Sequence, residues 1–90
     1  MNDEERLTLR GNLAAYEHLL GQLYVMMLED REEPQAFLKV NALHILELLG
    51  KRENMTQIEK DAAYGSVRRV METASFHFET VGHGPAIDLR

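Results

Sequence analysis

The run from Leu19 to Leu28 reads Leu-Leu-Gly-Gln-Leu-Tyr-Val-Met-Met-Leu and carries no charge. As a helix it is apolar on almost every side, and a helix of that kind is buried by neighbours on several faces. Any fold open to this chain has to supply those neighbours. The run therefore constrains architecture while saying little about function.

The residues around it extend the same pattern. Leu9, Leu13, Tyr16, Leu20, Leu23 and Met27 recur at spacings that alternate between four and three, which places a heptad seam on one helix face. The seam is shorter than three full heptads and suits a bundle better than a long coiled coil. Leu19, Tyr24, Met26 and Leu28 widen it in the C-terminal half, whereas Arg10, Asn12, Glu17 and His18 keep a polar flank in the N-terminal half. Asn2 or Asp3 is placed to cap this first helix, with Glu5 at the spacing of a capping box, and the acidic first turn suits the positive end of the helix dipole. Gly11 and Gly21 each cost a helix about 1 kcal/mol relative to alanine. They are expected to mark places where another backbone comes close.

Glu29-Asp30-Arg31-Glu32-Glu33-Pro34 ends the first helix and opens the second, because carboxylates suit a helix start and proline is favoured as a first helical residue. The turn is expected near Asp30 to Glu33, and the second helix runs to about Leu49, with Gly50 as its stop. Phe37, Leu38, Ala42, Ile45, Leu48 and Leu49 share one broad apolar face that includes Asn41, while Val40 and Leu43 lie opposite. A third helix starts at Thr56-Gln57-Ile58-Glu59, which has capping-box spacing. Its stripe is Ala63, Tyr64, Val67, Val70, Met71, Ala74, Phe78 and Val81, with Ile58 and Phe76 off the stripe. Ala62, Ala63, Gly65 and Ser66 form a small-residue patch suited to close helix approach. Gly82-His83-Gly84-Pro85 stops the helix. The domain reading is one helical unit over residues 1–81 and a short tail over 82–90 whose apolar residues are Ile87 and Leu89.

Helices of these lengths would span about 40, 24 and 36 Å, so the short one cannot cover both long ones. A 90-residue chain is also marginal as a lone domain. The sequence thus predicts an all-α, three-helix chain that forms a helical bundle completed by dimerisation, with the same patch of each copy meeting itself. The absence of cysteine rules out disulfides and thiolate metal sites. A net charge of −5 argues against a nucleic-acid partner, the lack of a long apolar run argues against a membrane, and the acidic N-terminus argues for a cytoplasmic protein without a secretory signal.

Catalytic chemistry is not signalled. Di-metal bundles use Glu-x-x-His on two helices, a spacing missing here; the nearest approach is the reversed pair His44 and Glu47, with Glu17-His18 and His77-x-Glu79 on the other helices. Ser75 and His77 are too close in sequence to face each other on a helix, and neither a nucleophile elbow nor a phosphate-cradling loop is present. Enzyme activity, cofactors and metals are accordingly not expected. Asn41 is expected either to bond a local carbonyl or to fix helix register from a buried position. Met26 and Met27 read as core filling rather than a promiscuous groove. The expected function is a non-catalytic interaction or regulatory module acting as a homodimer, with a further protein partner. Its interface is drawn from Leu19, Leu20, Leu23, Tyr24, Met26, Met27, Leu28, Val40, Asn41, Leu43 and Phe76. The alternative is a bundle that binds a small ligand or metal between subunits through His44, Glu47, Tyr16 and Tyr24.

Overall fold

Capping chemistry sets the helix ends in the computed structural model of the chain, which describes residues 1–89. Asn2 Oδ1 accepts the Glu5 N–H at 2.7 Å, and Asn2 Nδ2 reaches Glu5 Oε1 at 3.4 Å. Helix α1, Asp3–Leu28, starts from that cap. The Arg31 N–H bonds the Leu28 carbonyl at 3.0 Å and holds the turn against the helix end. Helix α2, Pro34–Gly50, begins on its proline. Helix α3, Gln57–Thr80, follows a complete capping box, in which Glu59 N–H donates to Thr56 Oγ1 and Thr56 N–H donates to Glu59 Oε1, both at 3.1 Å.

The two glycine stops differ. Gly82 has φ +93° and the His83 N–H returns to the Phe78 carbonyl at 2.9 Å, the 6→1 bond of a Schellman motif that only a left-handed residue permits. Gly50 is instead the last residue of α2 and has no positive φ. Its value is space, since a Cβ there would lie 3.0 Å from the Tyr64 hydroxyl. Lys60 Nζ donates to the Gly50 carbonyl at 3.0 Å and ties the end of α2 to α3.

The fold is all-α, and α3 lies between the other two helices, packing on both while α1 and α2 barely touch. Helix α1 runs parallel to α3, because Glu17 meets Ser66 and Arg69 while Gly21 meets Val70 and Thr73. Helix α2 runs the other way, with Gln35 beside Ser75 and Gly50 beside Tyr64. The principal extents of 45 × 30 × 19 Å describe a flattened slab. Its core is small: Val25, Leu28, Leu38, Ala42, Met71, Ala74, Phe78 and Leu89 cluster, with Tyr24, Ile45, Val67 and Ile87 packed against them. The α3 stripe is as the periodicity places it except at Val81, which is exposed.

The tail is ordered against the helices of its own chain. It folds back along its own α3. Ser75, fully buried, donates from Oγ to Gln35 Oε1 at 2.8 Å and accepts the Ile87 N–H at 2.9 Å. Gln35 Nε2 completes the junction on the Ser75 carbonyl at 2.9 Å, and the Ala86 N–H bonds Glu79 Oε2 at 3.1 Å. Leu89 then enters the core. Arg90, the last residue of the expected tail, lies outside the described residues.

Candidate interaction surface

Helix α1 has two apolar sides, and α3 covers the narrower one. Its buried or half-buried residues are Glu17, Gly21, Tyr24, Val25 and Leu28. The approach is closest at Gly21, where a Cβ would stand 2.9 Å from Thr73 Cγ2 and 3.3 Å from the Val70 carbonyl oxygen. That is the backbone contact expected of Gly21. At Gly11 nothing lies within 4 Å of such a Cβ, so the expectation fails there.

A polar clamp sets the register one turn earlier. Glu17 Oε2 accepts from Arg69 Nε at 2.9 Å, and Oε1 accepts from Arg69 Nη2 and Ser66 Oγ, each at 2.9 Å. The guanidinium's hydrogen bonds hold the Glu17 carboxyl below its ordinary value of 4.5, against the opposing effect of burial. Of the small-residue patch, Ser66 thus meets α1, whereas a Cβ at Gly65 would lie 3.2 Å from Arg69 Nη1. Periodicity alone does not single out this clamp, although Glu17 is the one carboxylate of α1 beyond its acidic first turn.

The heptad seam is left outside the subunit. Leu9, Leu13, Tyr16, Leu20, Leu23 and Met27 are 46–69% exposed, joined by Leu19 and Met26. Neighbours on several sides of the run Leu19 to Leu28 are therefore not provided by one chain. At 100° per residue these side chains share one face of α1 with Thr8, Asn12 and Ala15, and from Thr8 to Met27 no charged residue falls on it. Leu28 leaves the expected interface because it is buried in its own subunit's core, and Tyr24 is half-buried against that core.

The remaining expected interface residues sit on other helices. Val40 and Leu43 are exposed on α2, and Phe76 is exposed on α3, between shallow grooves toward α1 and toward the tail. Asn41 is also exposed, and its Nδ2 donates to the Phe37 carbonyl at 3.2 Å. That is the local carbonyl bond and not a buried register contact. Phe37 and Leu48 remain largely exposed, so the covered side of α2 is narrower than its apolar stripe.

Residues proposed for a ligand or metal are dispersed over the chain. His44 and Glu47 are exposed on α2, with Glu47 paired to Lys51 at 3.0 Å; Tyr16 is exposed on α1. Among the described residues no group of three or more histidine, aspartate or glutamate side chains is arranged to hold a metal ion, and no helix is long and apolar enough to cross a membrane.

The exposed area gives the apolar face a scale. The chain exposes 6718 Å², whereas a folded monomer of 10.3 kDa exposes about 5,400 Å². The excess of about 1,300 Å² exceeds the roughly 800 Å² that each partner contributes to a standard interface. No family model, curated protein or solved structure matches the chain.

Proposed function

We propose that the chain is a small, non-catalytic protein-interaction module of the cytoplasm that works as a homo-oligomeric helical bundle. One observation carries this reading: the widest apolar face of the longest helix is uncharged over five turns and lies outside the subunit's own core. Contiguous apolar surface of this kind marks an interaction site rather than the scattered exposure normal for a soluble protein. The flattened shape supports it, because a slab with an apolar face gains a second layer by association. Burying that face also offsets the weakness of a core this small.

Size exclusion with light scattering over a concentration series tests the reading. The expected mass is a multiple of 10.3 kDa, held down to low micromolar concentration. A 10.3 kDa species throughout that range overturns it.

A further inference from the structure

The seam on α1 has a symmetry that a single chain does not use. Its spacings of four, three, four, three and four read the same from either end. Leu9 and Met27, Leu13 and Leu23, and Tyr16 and Leu20 are therefore pairwise equidistant from His18. An antiparallel copy, turned about a twofold axis that crosses the seam between Tyr16 and Leu20, at the level of His18, brings each of these residues opposite its counterpart. The layers are then Leu9 with Met27, Leu13 with Leu23 and Tyr16 with Leu20, all apolar. A twofold contact of this kind closes on itself and stops at two copies.

Charge chooses the direction. Arg6 and Asp30 are also equidistant from His18, as are Glu5 and Arg31. Antiparallel pairing sets Arg6 of one copy toward Asp30 of the other at both ends of the seam; Arg31, opposite Glu5, is already stacked on Phe37 of its own chain at 4.9 Å, and the outermost positions, Glu4 against Glu32 and Asp3 against Glu33, carry like charges. The turn is placed for this, since the Arg31–Leu28 bond keeps Asp30 and Arg31 close to the helix end. Among the described residues the Arg6 guanidinium pairs loosely with the highly exposed Asp3, at 3.8 Å. A parallel arrangement would instead set Arg6 against Arg6 and Asp30 against Asp30, with the helix dipoles aligned side by side.

Resting on the reading of the chain as a homo-oligomer, we infer that the occupant of the α1 face is a second copy of this chain, bound antiparallel about a twofold axis that crosses the seam at the level of His18, on the side of the helix away from that ring. The exposed seam forms the dry centre, and an Arg6–Asp30 pair stands at each of its ends. The area agrees, because a standard contact of about 800 Å² per copy fits within the surplus exposed surface.

The chain has no cysteine, so single introduced thiols are unambiguous. Leu9→Cys and Met27→Cys proteins are mixed in equal amounts, exchanged and treated with a short bismaleimide, with the mass of the untreated mixture read by light scattering. Antiparallel pairing yields a cross-linked species containing one chain of each variant and little cross-linking of either variant alone. A dimeric mass with cross-linking within each variant alone, or with none at all, overturns the antiparallel inference while leaving the homo-oligomer standing. A monomeric wild-type mass removes both. Charge reversal gives a second readout that spares the apolar core. Arg6→Glu should weaken dimerisation about fivefold or more, since two ion pairs become two repulsions. Arg6→Glu/Asp30→Arg should restore it to within about twofold. Failure of the double variant to recover rejects the pairing.

Discussion

Gly11→Ala and Gly21→Ala are the same chemical change in the same helix, and the structure gives them opposite signs. In an exposed helix interior, alanine is favoured over glycine by about 1 kcal/mol. Position 11 is exposed with nothing within 4 Å of a new Cβ, so it should realise that gain in full. At position 21 the Cβ would meet Thr73 Cγ2 at 2.9 Å, Thr73 Cβ at 3.1 Å and the Val70 carbonyl oxygen at 3.3 Å. Rotating Thr73 would relieve the first contact, but its hydroxyl is held on the Arg69 carbonyl at 2.8 Å. The other two contacts do not depend on that rotation, so α1 and α3 must separate by a few tenths of an ångström. Overpacking of this kind costs about 1–3 kcal/mol. After the propensity gain, Gly21→Ala is expected to be destabilising by about 1 kcal/mol and Gly11→Ala stabilising by a similar amount, a contrast of about 2 kcal/mol. Urea unfolding followed by circular dichroism at one fixed protein concentration measures both, because association would otherwise shift the apparent stability. Equal stabilisation by the two variants would refute the close α1–α3 approach, and Gly21→Ala/Thr73→Ser should recover part of the loss if that approach is real.

Four further outcomes follow from the described contacts. Glu17→Gln should lower stability by about 1 kcal/mol or less near neutral pH, the modest size reflecting the exposure of Arg69. Since Arg69 lowers the Glu17 carboxyl below 4.5, the wild-type carboxylate stabilises the fold fully above that pH and ceases to as pH falls through the lowered folded value, so the two proteins should converge in acid. Ser75→Ala strands Gln35 Oε1 and the Ile87 N–H and should cost about 1–3 kcal/mol; faster amide exchange at Ile87 would locate the damage, and unchanged exchange would reject the junction. Deleting residues from Gly84 onward removes Leu89 from the core and should cost about 2 kcal/mol without changing the number of chains per particle seen by light scattering, since the tail packs on its own chain. Phe76→Ser should leave stability within about 0.5 kcal/mol, because the ring is exposed; a large loss measured by thermal unfolding would place that ring in a contact.

Helix limits were legible because the signals that fix them are local. Asn2, Thr56, Pro34 and Gly82 act on backbone groups within one turn, and each does so here at or beside its expected place. The choice of face on α1 was not legible in the same way. Both sides of the run Leu19 to Leu28 are apolar, so only tertiary neighbours decide, and α3 selects the side where Gly21 allows its backbone in. The seam with the better periodicity is the one left exposed. Ser75 carries no catalytic pattern, but it stands four residues after Met71 and three before Phe78 and so belongs to their buried side. That spacing was the available signal, and the tail's docking depends on it. Asn41 shows the converse: its place within an apolar stripe suggested a buried contact, but the stripe is wider than the surface α3 covers.

The parallel pairing of α1 with α3 has a consequence for how the chain is made. Glu17 finds Ser66 across 49 positions of sequence, whereas α2 and α3 are joined by a short connection and pair antiparallel. A ribosome releases α1 first and the surface that receives it last, so the most apolar helix spends most of synthesis without its intrachain partner. The adjacent helices α2 and α3 can meet first, and α1 docks onto the finished pair. The uncharged seam, which docking on α3 leaves uncovered, is open to any neighbouring nascent chain from the start, and two chains emerging close together on one message would present matching seams to each other before either is complete.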